Sequence, residues 1–196
     1  MSRAEQFQHS ILTVSAEERF FPLIKRSLAG LSAASVEYRT SAAAARRCIL
    51  ERYYSIVVVN APLPDGAGTE LALDTARECG ASVLLIVPEG VYEDTLDRVT
   101  DAGILVLAKP FPLPRITHAM RFLSAQQAKL REAEQRILAA EEKVQEVRLV
   151  DKAKFLLIEH RHLSEDEAHR LIGKQAMNHG VSRKRIAQRI LEEYEE

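Results

Sequence analysis

The sequence predicts two fold classes in one chain: an α/β domain with a doubly wound, five-stranded parallel sheet, and an all-α region made of one long helix and a compact three-helix unit. Three observations carry this. Short aliphatic runs alternate with amphipathic stretches as far as residue 112. After Pro114 there is no glycine or proline until Gly173, and apolar residues recur every seven positions. A helix-capping pattern then appears at Ser164-Glu165-Asp166-Glu167.

The strand candidates are Ile11–Val14, Ser35–Tyr38, Ile56–Val59, Val83–Val87 and Ile104–Leu107. Most are aliphatic throughout, as strands buried on both faces must be. Helical patterns lie between them at Glu17–Ala29, Ala42–Arg52, Thr69–Cys79 and Tyr92–Asp101. Regular strand–helix alternation gives a parallel sheet with helices on both faces. Five strands in this length fit a flavodoxin-like winding, whose sites lie at the carboxyl ends of the strands. This domain is placed at residues 8–122.

Residues 123–149 read as a coiled-coil linker. Leu123, Leu130, Ile137 and Val144 occupy one heptad position, and Gln126, Ala133, Ala140 and Val147 lie three residues beyond each. The expected dimer seam is Leu123, Leu130, Ile137, Val144 and Val147, flanked by Glu, Gln, Lys and Arg. The competing reading is an amphipathic helix folded back on its own domain. The sustained period near 3.5 favours pairing between chains along a stalk.

Residues 150–196 read as a small helical unit. Val150, Ala153, Leu156 and Leu157 continue the long helix, and His162-Leu163 breaks it. Ser164 is the expected N-cap and Glu167 its capping-box partner. The next helix is expected to bury Ala168, Leu171, Ile172, Ala176 and Met177 and to stop at Gly180. Ser182 can cap a last helix carrying Ile186, Ile190 and Leu191. A unit this small needs support from the stalk or a partner.

The bulk properties narrow the function. The 196 residues carry a net charge of −1, so nucleic-acid binding requires a local basic surface. Cys48 and Cys79 have neither disulfide-framework nor metal-ligand spacing and fit a reducing compartment. The first residues, Met-Ser-Arg-Ala-Glu-Gln, lack an apolar signal core, and no apolar run approaches membrane-spanning length. A cytoplasmic location follows as an expectation. There is no glycine-rich phosphate loop, no metal-ligand cluster and no nucleophile–base pair, so no enzyme activity, metal or cofactor is expected.

The first domain resembles a response-regulator receiver, a CheY-like fold. The resemblance implies an acidic pair after the first strand, an aspartate after the third, a hydroxyl after the fourth and a lysine after the fifth. The carboxylates hold Mg²⁺, a hard cation that requires anionic oxygens. Here Ser15 and Ala16 stand for the acidic pair, Asn60 for the phosphoacceptor and Val87 for the hydroxyl; Lys109 alone remains. An amide cannot act as the carboxylate nucleophile. The domain reads as a pseudoreceiver, either docking a regulatory partner or serving as a scaffold. Lys109 is expected to hydrogen-bond Asn60 Oδ1.

The carboxyl-terminal unit resembles the ANTAR module of bacterial antitermination regulators. Val150-Asp151-Lys152-Ala153-Lys154, Leu156-Leu157-Ile158, Leu163–Ala168, Leu171-Ile172 and Ala176-Met177 carry the resemblance. The order of receiver, coil and module strengthens it. Phe155, Ile158, His169 and Gly173 depart from the pattern; Phe155 and Ile158 are conservative if they serve the core. Gly173 stands where a basic residue is frequent, and Lys174 beside it supplies one. The resemblance implies binding of paired RNA hairpins in a leader transcript, which prevents a terminator from forming, with two modules on one dimer adding avidity. RNA-contact candidates are Lys152, Lys154, Arg161, Arg170, Lys174, Arg183, Lys184 and Arg185, since phosphates need cations. Arg189 adds a further cation, and His160, His162, His169 and His179 offer stacking or donor groups. Glu192, Glu193, Glu195 and Glu196 offset the charge locally. Competing readings are a protein-binding signalling regulator and a DNA-binding transcription regulator.

Overall fold

The structure, a computed structural model, describes residues 8–31 and 33–194. The amino-terminal hexapeptide read above and Glu195 and Glu196 lie outside the described residues. The chain divides into two compact units, Met1–Arg131 and Glu132–Glu196.

The first unit is a parallel sheet of β1 (His9–Ser15), β2 (Ala33–Arg39), β3 (Ile56–Asn60), β4 (Ser82–Pro88) and β5 (Leu105–Lys109), in the order β2-β1-β3-β4-β5. Every strand pairing is parallel. Helices α2 (Ala42–Glu51), α3 (Thr69–Cys79) and α4 (Tyr92–Val99) pack on one face, where Ala45, Leu71, Ala72 and Val99 meet Val57, Val59 and Leu85. On the other face α1 (Phe20–Ser27) and the start of α5 (Leu113–Arg161) bring Phe20, Ile24, Ile116 and Met120 against Ile56, Val58 and Ile86. Alternate residues of β3 therefore feed opposite cores, as a period of two requires. Full burial of β3 and near-full burial of β4 explain why their sequences are aliphatic without alternation.

Of the helix boundaries that differ from the sequence reading, two have clear local reasons. The first helix begins at Phe20 rather than Glu17 because Ser15 Oγ accepts from the Glu17 amide at 3.0 Å, holding the chain in a turn. The fourth ends at Val99 and tightens into a 3-10 turn, Thr100–Ala102, closed by Gly103 at φ 69°.

The long helix α5 has 49 residues and is continuous from Leu113 to Arg161. Its first part corrects one seam assignment. Leu123 is fully buried against the sheet and presents nothing to another chain. Gln127, one turn on, is also buried; its Nε2 donates to Gly80 O at 3.0 Å and Ser82 Oγ at 3.1 Å. His9 at the start of β1 bonds Ser124 Oγ at 2.6 Å, so α5 is anchored to the sheet by polar contacts as well as apolar ones. Leu130, Ile137, Val144 and Val147 are exposed.

The second unit contains the end of α5, α6 (Glu165–His179) and α7 (Arg183–Tyr194). Ala153, Leu157, Ala168, Ile172, Ala176, Ile186, Ala187 and Ile190 form its core. The capping box is complete: Ser164 Oγ accepts from the Glu167 amide at 3.3 Å, and Glu167 accepts from the Ser164 amide at 2.8 Å. That bond and the Ser164 hydroxyl hold the Glu167 carboxyl below its ordinary range. Helix α6 stops at Gly180, φ 61°, and the Arg185 amide donates to Ser182 Oγ ahead of α7. Three expected core residues are corrected. Met177 is exposed because Ala168, Ile172 and Ala176 define the buried line at i, i+4, i+8, and residue 177 turns about 100° away from it. Phe155 and Ile158 are exposed as well, on the side of α5 opposite Ala153 and Leu157.

Candidate functional site

The winding brings the five receiver-type positions to one end of the sheet. Ser15 closes β1 and stands in register with Asn60 at the end of β3. Val87 near the end of β4 pairs with Ala108, one residue before Lys109 on β5. Ser15, Asn60 and Val87 are buried, whereas Ala16, Glu17 and Glu18 lie in the exposed turn that follows β1. The positions singled out in the sequence thus lie together at the carboxyl ends of the strands.

Two of those side chains bond each other. Asn60 Nδ2 donates to Ser15 Oγ at 2.8 Å. Lys109 Nζ donates to the Ala61 carbonyl at 2.7 Å, not to Asn60. The expected Lys109–Asn60 bond is therefore corrected: the ammonium reaches one residue past the amide to a backbone acceptor. Asn60 Oδ1 has no hydrogen-bond partner among the described residues, although it is buried. Burial pushes the Lys109 ammonium below its ordinary value, and nearby Glu17 opposes that shift. Among the described residues no group of three or more His, Cys, Asp or Glu side chains is placed to hold a metal ion. Asp65, in the loop after β3, serves the fold instead. Its carboxylate accepts from the Ala42 and Ala43 amides, each at 2.8 Å, at the start of α2, and those bonds lower its pKa.

In the second unit the basic candidates separate into paired and open groups. Lys154 is largely covered, with Nζ 2.8 Å from Asp151 and 3.0 Å from Glu165; both carboxylates raise its pKa. Arg161 donates to Tyr194 Oη at 2.6 Å and Glu193 at 2.7 Å, while His160 stacks on the same Tyr194 ring at 4.8 Å. Lys152, Arg170, Lys174, Arg183 and Arg185 are exposed, and Lys184 is half-buried. A cleft of about 310 Å³ brings Lys154 and Arg183 together with His169 and with Lys143. Val147, Val150, Glu146 and Asp151 complete its lining. Lys143 is absent from the sequence candidates, because its place inside the heptad repeat marks it as a solvated flank. Arg170 and Lys174 stand one helical turn apart on α6 and are not in this cleft. No helix among the described residues is long and apolar enough to cross a membrane.

Comparison with known proteins fits this geometry at both ends of the chain. The sheet unit is similar to the signal receiver domain of an HD domain-containing protein from Pseudomonas fluorescens Pf-5. The TM-score is 0.57 at 19% identity, covering 67% of this chain and 97% of that one. It is also similar to the chemotaxis response regulator CheY4 of Vibrio cholerae, with a TM-score of 0.51 at 15% identity over 60% of this chain and 99% of that one. Residues 138–191 match the ANTAR domain. A receiver-like fold and an ANTAR-domain match thus occur in one chain, in that order. Among individual proteins it is similar to the transcriptional regulatory protein PdtaR of Mycobacterium tuberculosis, from both strain CDC 1551 / Oshkosh and strain ATCC 25618 / H37Rv. Identity is 25% over 138 residues, covering 70% of this chain and 67% of the relative.

Proposed function

We propose that the protein is a cytoplasmic transcription antitermination regulator that binds paired hairpins in leader RNA as a homodimer, without phosphorylation of its receiver unit. The observation that carries this reading is the ANTAR match over residues 138–191, on a unit whose exposed surface bears Lys152, Arg170, Lys174, Arg183 and Arg185. Cations at these positions supply the phosphate contacts that dominate RNA affinity. The cleft holding Lys143, Lys154, His169 and Arg183 adds donors and an imidazole where an unstacked loop base can be received. The functional divisions are the receiver-like domain at residues 8–122 with the stretch of α5 to residue 131 packed on it, the remainder of the coil to residue 149, and the RNA-binding module at 150–196.

The receiver unit in this reading is a fixed platform for a protein partner. Asn60 has no carboxylate to accept a phosphoryl group, and Ser15 and Ala16 offer no carboxylate pair for Mg²⁺. Leu130, Ile137, Val144 and Val147 form the dimer seam.

The test is binding of the full chain to leader RNAs from its own genome that carry tandem small hairpins. Binding should depend on the loop sequences, fall in an Arg170→Ala/Lys174→Ala variant of unchanged circular dichroism, and persist without any phosphodonor. A folded chain that ignores these RNAs at low salt, and ignores a broad RNA selection, would overturn the reading.

A further inference from the structure

A cavity of about 400 Å³ opens between α3 and α4, at the carboxyl ends of β3 and β4. That volume falls within the range of small-molecule sites. Ala61, Pro62, Val87 and Pro88 form its strand-end wall, and Val91 and Thr95 its α4 side. Thr95 brings no unmet donor to it, because its hydroxyl already donates to the Val91 carbonyl at 2.6 Å. Val91 is 46% exposed, an apolar lining side chain left open to solvent.

Three polar features border these apolar walls. The first is the start of α3, which carries no side-chain cap. Its N-cap is Gly68 at φ 82°, and a β-carbon there would come within 3.0 Å of Val59 Cγ1. The close approach demands glycine, so the first amides of α3 stay open at the positive end of the helix, where Thr69 lines the cavity. The second is the pair Asp94 and Arg98, one turn apart on α4 and both in the lining. Asp94 is exposed and holds no ion pair among the described residues. Arg98 holds Glu70 at 2.9 Å, in a bridge so exposed that it yields readily to another partner. The third is Asn60, buried at the strand end. It directly precedes Ala61 and stands in register with Ile86, the residue before Val87. Its Oδ1 has no partner among the described residues, and a buried acceptor without a donor is costly.

We propose that this cavity binds a small apolar zwitterion, an α-amino acid with an aliphatic or aromatic side chain. The side chain occupies the aliphatic walls. The carboxylate meets Arg98 and the open amides of α3. The ammonium donates to Asp94, with Asn60 Oδ1 as a second acceptor at the strand end. Charge selects the class. A plain carboxylic acid leaves Asp94 unmet, and a plain amine leaves Arg98 and the helix end unmet. A phosphate ester would set its second negative charge against Asp94. The site lies wholly within the sheet unit and does not depend on the RNA reading.

The experiment titrates the full chain calorimetrically with L-leucine, L-valine and L-phenylalanine. Each is accompanied by its amine and its carboxylic-acid counterpart, the same skeleton without the carboxylate or without the amino group. Asp94→Asn and Arg98→Gln change exposed charges, and Ala67→Phe fills the cavity from an exposed lining position. Circular dichroism verifies each fold. At least one amino acid should bind, one per chain, with both counterparts weaker by about tenfold or more. Asp94→Asn should weaken the amino acid by a similar factor and leave the carboxylic acid unchanged. Arg98→Gln should weaken the amino acid and leave the amine unchanged, and Ala67→Phe should abolish binding. A counterpart that binds as tightly as the amino acid, binding that survives Ala67→Phe, or no binding of any of the three at millimolar concentration overturns the proposal.

Discussion

The two units of this chain treat their polar groups in opposite ways. At the carboxyl ends of the strands, polar side chains bond within their own unit: Asn60 bonds Ser15, Lys109 bonds the Ala61 carbonyl, and Asp65 binds the first amides of α2. In the three-helix unit, Arg170, Lys174, Arg183 and Arg185 reach solvent. The shape of the sheet unit rests on two apolar layers around the sheet rather than on the polar groups at the strand ends. The three-helix unit has one small core and leaves its charges outside, where a polyanion can meet them.

The largest contrast should appear in stability. Leu85→Ala in the sheet and Ile172→Ala in the helical unit each remove a fully buried side chain, at a cost of about 2–5 kcal/mol. Calorimetry should show the second variant losing the transition of the helical unit while that of the sheet unit stays in place. A single transition shifted equally by both substitutions would mean that the two units unfold together.

A smaller effect tests whether the polar groups at the strand ends serve the fold. Ser15→Ala leaves the buried Asn60 Nδ2 without its acceptor, at a cost of about 1–3 kcal/mol. Denaturant unfolding should show this loss, with RNA affinity unchanged. A variant as stable as the parent would mean that the Ser15–Asn60 bond contributes nothing.

Binding distinguishes the exposed cations from the paired ones. Replacing Arg170 or Lys174 by alanine should reduce the salt dependence of RNA affinity by about one unit of log–log slope for each phosphate that is no longer neutralised. Lys154→Ala should reduce the slope less, because two carboxylates already hold that ammonium. Equal slopes in all variants would remove these cations from the interface.

The mildest effect is that of pH on Asp65. Its folded pKa is depressed, so its contribution to stability is present above the unfolded value, near 4, and is lost as pH falls toward the folded one. Asp65→Ala should melt below the parent at neutral pH, and the gap should close as pH drops below about 4. A gap that persists in acid would mean that the carboxylate charge is not what ties the loop to α2.

Much of this fold can be read from residues alone, for specific reasons. Strands buried on both faces leave uninterrupted aliphatic runs, and Ser164 with Glu167 leaves a local signature that needs no tertiary information. The long helix is harder. Leu123 and Leu130 occupy equivalent heptad positions, yet one packs on the sheet and the other is open to solvent. Periodicity records which face is apolar and not what covers it. Phe155 and Ile158 resemble core residues in sequence for the same reason. The partner of Lys109 is also out of reach, since a backbone carbonyl has no sequence signal. The convergence of Lys143 with Lys154, His169 and Arg183 depends on how three helices cross, which no single helix encodes.

Gly173 on α6 lacks the side chain that would cover its turn, and the Arg183 guanidinium from α7 comes within 3.9 Å of where a β-carbon would sit. Positive charge at this spot is thus lent by the neighbouring helix instead of being grown on α6 itself. At that separation a methyl group at residue 173 would meet the guanidinium at ordinary contact distance, so Gly173→Ala should leave the Arg183 charge where it is.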